Sequence, residues 1–266
     1  MPPASSSPVL AVEGVTKRFG SVHALDGVDF GVRSGEVVAL VGDNGAGKST
    51  LVKVISGIYR PDSGRILMDG RPVTIAKPSD ATLLGIATVH QDLALSDNLD
   101  VVENLFLGRE EVEPGLGTFL RSLDENDMEL RTHELLGGLA VTIPDVRAEV
   151  GTMSGGQRQQ VAITRSLLGD PRVVILDEPT AALGVRQTAQ VLELIERLRD
   201  QGHGVVVISH NLADVFAVAD RIFVLRLGQQ AGDFEAGKVS QDEVVAAITG
   251  ADLAGRENGN RKGDEQ

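Results

Sequence analysis

The chain of 266 residues has no cysteine, no tryptophan and a single tyrosine, and its aromatics amount to 3%. Without cysteine, neither a disulfide framework nor a thiolate zinc site can form. With so few rings, valine, leucine, isoleucine and alanine have to build the core. No continuous apolar run approaches the roughly 20 residues that cross a bilayer, so any membrane role passes through a partner. The opening "MPPASSSPV" lacks the basic and apolar regions of a signal peptide. Positive charge is also scarce: 25 Lys and Arg stand against 38 Asp and Glu, a formal net charge of -13. Such a balance repels a phosphate backbone and argues against sequence-independent nucleic-acid binding as the main role, leaving room for a local basic patch.

What is present has the character of a globular α/β protein. The length fits one large domain or a core carrying a smaller subdomain. Short β-branched runs recur at "GEVVALVG" (35–42), "RVVILDEP" (172–179), "GVVVISH" (204–210) and "RIFVLRLG" (221–228). Their apolarity is continuous rather than alternating, which predicts strands covered on both faces, as in a parallel sheet. Between them "TAQVLELIERLRDQG" carries apolar residues every third or fourth position and ends at Gly202. From Val9 to Val73, shorter and partly alternating runs joined by Gly-containing turns predict an antiparallel sheet. Across about 93–152 the strand signal fades, and a helix is expected to open at Asp124, with acidic residues in its first turn. The reading is therefore an α/β core with a mixed or parallel sheet, an N-terminal antiparallel β subdomain and a helical subdomain, spanning 9–250, with disordered tails at 1–8 and 251–266.

Chemistry concentrates at three places. Gly42-Asp43-Asn44-Gly45-Ala46-Gly47-Lys48-Ser49-Thr50 fits G-x-x-x-x-G-K-[ST], and it stands between an apolar strand and an apolar helix. Glycines let backbone N–H groups turn inward around phosphates, and the helix N-terminus adds positive potential. Lys48 would reach the outer phosphates and Ser49 would hold Mg²⁺. Asp177 and Glu178 end "VVILDEP", where parallel sheets place their ligands. Asp177 suits the metal and Glu178 the attacking water. His210 ends "VVVISH" and should share that edge, while Gln91 follows the short run "ATVH" and could reach the metal. His23, His133 and His203 are assigned surface or turn roles. The third place is "MSGGQ", with Ser154, Gly155, Gly156 and Gln157 heading a helix-prone run. It is half of an anion site, with no lysine beside it, and by itself could equally be a capped helix.

In this order, "GDNGAGKST", Gln91, "MSGGQ", "VVILDEP" and His210 resemble the ATP-binding subunits of ABC transporters. The resemblance covers about 9–250 and implies a P-loop NTPase core in the form of an ABC ATPase cassette. "MSGGQ" is similar to the family signature usually written LSGGQ, with Met153 in first place. That likeness implies a head-to-tail sandwich of two copies around two Mg-ATP, each signature completing the partner's site. It also implies Phe19 in "VTKRFG" as the ring stacking on adenine, the alternative being a buried core residue. Two departures stand out. Ala181-Ala182-Leu183-Gly184 replaces the usual S-A-L-D, which removes the aspartate that couples the two sites, and His90 stands where importers often have Tyr.

Within the family, "TAALGVRQTAQVL", "DLALSDNLDVVENLFLGRE" and "MSGGQRQQVAITRSL" resemble the ATPases of ribose-, xylose- and fructose-type importers. Many of those carry two cassettes in one chain, whereas this one has a single phosphate loop and a single signature. The resemblance implies a multi-span permease, docked on about Leu93 to Leu107, and indirectly an extracytoplasmic sugar-binding protein. It also implies a peripheral location on the cytoplasmic face of the membrane. The competing readings are a DNA- or ribosome-associated ABC ATPase and a weakly hydrolysing regulatory cassette. The acidic balance, the absence of cysteine and the short span between Lys48 and Met153 weigh against the first. The intact Lys48, Asp177, Glu178 and His210 weigh against the second, and Gly184 weighs for it.

Overall fold

In chain order the first strands are β1 (Leu10–Phe19), β2 (Val22–Val32), β3 (Val37–Val41), β4 (Ser63–Met68), β5 (Arg71–Val73) and β6 (Ile86–Val89). They are followed by β7 (Val173–Asp177), β8 (Gly204–Ile208), β9 (Arg221–Arg226) and β10 (Gln229–Glu235). The helices are α1 (Lys48–Ile55), α2 (Pro78–Leu83), α3 (Val101–Phe106), α4 (Glu125–Gly138), α5 (Gly155–Ser166), α6 (Val185–Asp200), α7 (Leu212–Val218) and α8 (Gln241–Thr249). The computed structural model describes residues 7–112 and 123–251. Of the two expected tails, only Ser7, Pro8 and Ala251 fall within it.

The strands form two sheets. One is wholly antiparallel, in the order β2-β1-β4-β5, and corresponds to the alternating runs of the N-terminal region. The other runs β10-β9-β3-β8-β7-β6, parallel from β9 to β6 and closed at one edge by antiparallel β10. Every residue of β3 and of β8 is buried, because helices or sheet cover both faces at the centre.

Successive β3 residues face different layers. Val38 and Leu40 join Leu51, Val52 and Ile55 of α1 and Phe30 of β2. Val37, with Val205 and Val207 of β8, packs on Ile163 of α5 and on Val191, Leu194 and Ile195 of α6. Ala39 and Val41 meet Val215 of α7 and Val244 of α8. The antiparallel sheet is joined to the parallel one by an edge-to-face contact of Phe30 and Phe223, with centroids 5.1 Å apart. Arg221 adds a polar joint: it pairs with Glu36 at 2.8 Å, with Asp233 at 2.8 Å, and with the carbonyl of Gly31.

Register brings the chemistry to one edge. Leu40 pairs with Ile208, and Ile208 with Asp177. The loops that follow β3, β7 and β8 therefore leave the sheet side by side.

Some elements differ from the sequence reading. β10 is predominantly exposed and polar, "QQAGDFE", so it lacks the apolar run that marks the inner strands. Across 93–152 the described residues hold the helices α3 and α4, and α5 follows at Gly155. Asp124 does cap α4, accepting from the Asp127 N–H at 3.0 Å. Gly202 follows α6 with a φ of 94°, a left-handed stop that favours glycine.

Leu40 is fully buried between β8 and β9. Leu40→Ala is expected to lower unfolding stability by about 2–5 kcal/mol, read as a lower urea midpoint with an unchanged m-value.

Candidate active site

The phosphate loop is shaped by two glycines that cannot be replaced cheaply. Gly42 adopts φ 149°, and a Cβ there would run into the Leu225 carbonyl oxygen. Gly47 adopts φ 109°, and a Cβ would stand 2.6 Å from the Ala24 carbonyl oxygen. The loop is closed by a bond from the Ala46 N–H to the Asp43 carbonyl at 3.1 Å. It is braced from outside by the Gly228 N–H, which donates to the Ala46 carbonyl at 2.9 Å. α1 then begins at Lys48 with no side-chain cap. Its first amides, those of Ser49 and Thr50 among them, are thus left to an anion. Lys48 Nζ donates to the carbonyls of Gly42 at 2.7 Å and Asp43 at 3.0 Å, so the ammonium is folded over the mouth of its own loop.

Beside it, β7 delivers Asp177 half-buried, and the backbone turns sharply. Glu178 takes a φ of 52°, a left-handed conformation that costs a non-glycine residue about 1–3 kcal/mol. The turn is held by the Glu178 N–H donating to the Ile208 carbonyl at 2.9 Å. Thr180 Oγ1 adds a bond to Asp214 of α7 at 2.6 Å. The result is a carboxylate with 18% side-chain exposure whose Oε2 lies 2.8 Å from Nδ1 of His210, itself 76% exposed. The carboxylate is sheltered while its histidine partner faces outward.

The electrostatics are those of a cation site. Burial first, and then the charge of Glu178, push the Asp177 carboxyl above its ordinary range, with His90, Lys48 and Lys53 opposing. Burial pulls the Lys48 ammonium below its ordinary range, opposed by Glu178, Asp43 and Asp177. Among the described residues no cluster of three or more histidine or carboxylate side chains forms a self-sufficient metal cage. Ser49 and Asp177 would each offer an oxygen to Mg²⁺, an ion that keeps several waters and takes remaining ligands from phosphates.

The signature residues stand apart. Ser154 caps α5: its hydroxyl accepts from the Gln157 N–H at 3.3 Å, and Gln157 Oε1 accepts from the Ser154 N–H at 3.0 Å. This is a reciprocal capping box, which is the capped-helix reading of "SGGQ". Ser154 and Gln157 line a cleft with Val185, Arg186 and Gln187, and Gly155 lines another with Gln91, Leu93 and Ala181 to Leu183. No phosphate-loop residue lines either cleft. Within one chain, Lys48, Asp177, Glu178 and His210 are thus brought together, while Ser154 to Gln157 and Gln91 are grouped elsewhere.

Phe19 is 44% exposed, which removes the core alternative. Its ring meets Tyr59 edge-on at 5.1 Å. His203 bonds the Pro171 carbonyl at 2.7 Å, and His23 and His133 are exposed. Three features escaped the sequence reading. Gly156 is demanded by packing, since a Cβ there would stand 2.7 Å from Cβ and Cγ of Gln187 on α6. The left-handed turn at Glu178 left no local signal. Asn104 is fully buried on α3, and its signal was an uncharged polar residue, next to Glu103, inside the otherwise apolar "VVENLF".

Because charging Asp177 costs more in the folded chain than in the unfolded one, its contribution to stability is full below the ordinary carboxylate pKa. It is lost as pH rises through the raised value. Asp177→Asn is therefore expected to raise the melting temperature of the nucleotide-free chain at neutral pH. The gain should shrink as pH falls into the carboxylate range, as thermal melts across pH would show.

With this geometry in place, the comparisons with known proteins agree. The family model for ABC transporters matches residues 25–181. The fructose import ATP-binding protein of Rhizobium meliloti is 46% identical over 255 residues, covering 95% of this chain and 98% of that one. A ribose import ATP-binding protein of Rubrobacter xylanophilus is 45% identical over 92% of this chain, which spans only 48% of its length. Among solved structures, an ATP-binding cassette of an ABC transporter in its ADP conformation has a TM-score of 0.77 at 27% identity, with 95% of this chain and 99% of that one covered. A dimeric cassette in a post-hydrolysis state with ADP and phosphate has a TM-score of 0.69 at 25% identity, covering 85% and 98%. The family match over residues 25–181, the 46% identity across nearly all of the fructose import protein and the common fold make this chain a member of the ABC transporter ATP-binding family.

Proposed function

We propose that this chain is the ATP-hydrolysing subunit of an ABC importer for a monosaccharide, acting as two copies arranged head to tail. The observation that carries this reading is the 46% identity to a fructose import ATP-binding protein, sustained across 98% of that protein. The separation of the signature residues from the phosphate loop supports the two-copy arrangement, because one chain holds both halves of a site without joining them.

In the proposed reaction the phosphate-loop amides cradle the ATP phosphates, Phe19 stacks on adenine, and Lys48 moves from its own carbonyls to the outer phosphates. Ser49 and Asp177 would hold Mg²⁺, with Gln91 joining them on closure, and the ion would supply charge neutralisation at the phosphates. Glu178 accepts the proton of the attacking water, and His210 holds its carboxylate through Nδ1. Ser154, Gly155, Gly156 and Gln157 of the second copy present a hydroxyl and helix-terminal amides to the terminal phosphate. ATP thus closes the pair, and hydrolysis reopens it.

The permease-facing surface is assigned to Leu93 to Leu107. Beside it runs a groove lined by His90, Leu93, Ala94, Arg109 and Arg165, with exposed Leu83 and Leu107 nearby. No helix among the described residues is long and apolar enough to cross a membrane. The proposed location is accordingly peripheral, on the cytoplasmic face, bound to the permease and indirectly to a sugar-binding protein. Gly184, in place of the usual aspartate, favours a second reading, a regulatory cassette that hydrolyses weakly.

Glu178→Gln is expected to bind ATP normally and to lose hydrolysis by about 10²–10⁴-fold in the assembled complex, the range for a general base. Wild-type turnover in the variant overturns the base assignment, and negligible turnover in the wild-type complex supports the regulatory reading. Tagged chain recovered from detergent-solubilised membranes is expected to bring down a multi-span permease. Ribosomal or DNA-repair proteins in its place overturn the transport reading.

A further inference from the structure

The loop after Gln91 is fastened to the signature, and one buried amide holds part of that loop in shape. Asn104 has no exposed surface. Its Oδ1 accepts from the Ser96 N–H at 2.8 Å. Its Nδ2 donates to the carbonyls of Ser96 at 3.0 Å, Leu99 at 3.1 Å and Asp100 at 2.9 Å. Those bonds use the donors and one acceptor of the amide and fix residues 96–100 on α3.

The same loop then grips the segment leading into the signature. The Gly151 N–H donates to the Asp97 carbonyl at 2.8 Å, and the Val150 N–H to the Leu99 carbonyl at 3.0 Å. Asp100 and Glu149 form a bridge. The approach at Gly151 is so close that a Cβ would lie 2.8 Å from the Asp97 carbonyl oxygen. From there the Met153 N–H bonds back to the Val150 carbonyl at 3.0 Å, and Ser154 follows. The signature helix also holds the loop directly: Arg165 donates to the Ala94 carbonyl at 2.7 Å, and Arg158 stands 3.6 Å from Asp97.

We propose that Asn104 is a positioning residue for the signature half-site. By locking residues 96–100 against Gly151, it sets where Ser154 and the start of α5 present themselves to a second copy, and it makes the permease-facing loop and the signature move as one piece. This rests on the two-copy reading.

The test uses the full chain in a Glu178→Gln background, which retains bound ATP. Asn104→Leu removes the amide, leaving the Ser96 N–H and carbonyl without these partners. Gly151→Ala leaves Asn104 intact and pushes the other end of the contact apart. Nucleotide affinity is read with a fluorescent ATP analogue, and ATP-driven self-association by sedimentation. Both variants are expected to bind nucleotide within twofold of the parent and to self-associate at least tenfold more weakly. Association like the parent's in the folded variants overturns the proposal. So does a parallel loss of nucleotide binding, which marks a general structural role. Should Asn104→Leu fail to fold, Gly151→Ala decides alone. A Glu178→Gln parent that binds ATP but stays monomeric overturns the two-copy reading, and the positioning role falls with it.

Discussion

Everything at this site depends on the level register of three buried parallel strands. Leu40, Ile208 and Asp177 stand abreast, and the loop after each strand has no choice but to emerge beside the other two. Lys48 and Glu178 are more than a hundred residues apart in sequence, yet backbone hydrogen bonds between largely apolar strands set the spacing of these two and His210. A slip of one residue in any of the three would turn its side chains to the opposite face and would carry its loop out of line. The apolar core is thus the ruler by which the polar site is measured.

The crowding of charge at that edge is a deliberate instability. Asp177 and Glu178 are consecutive carboxylates sheltered by the fold, and burial acts against ionisation of Asp177 and Lys48 alike. Folding brings these groups together at a cost, which a bound cation and phosphates would relieve. A ligand that satisfies them stabilises the folded state by mass action. The left-handed turn at Glu178 belongs to the same pattern, since strain concentrates where positioning matters most.

Much of this was legible in the sequence, and the physical reasons for the exceptions are specific. The phosphate loop announces itself because its glycines, lysine and hydroxyl are consecutive and its flanking strand and helix are local. β3, β7, β8 and β9 were visible as continuous apolar runs, because burial on both faces leaves little room for polar residues. β10 was not, since an exposed edge strand is constrained by its one neighbour rather than by composition. Gly156 reads as part of an anion site, but its lack of a side chain is also imposed by Gln187, thirty-one positions later. Asn104 shows how a long-range requirement can be half visible: a polar residue in an apolar helical run signals an anomaly, while the loop that it secures appears only in three dimensions.

The bracing of the phosphate loop by Gly228, and its close approach to Leu225, bears on how the protein is made. β3 lies between β8 and β9, two strands translated long after it. The glycine-rich loop leaves the ribosome early, but its walls and its prop are among the last parts of the sheet to follow. Until β9 is made, the motif lacks the wall at Leu225 and the prop at Gly228. A product truncated before β9 would carry the phosphate-binding sequence without the two contacts that shape it.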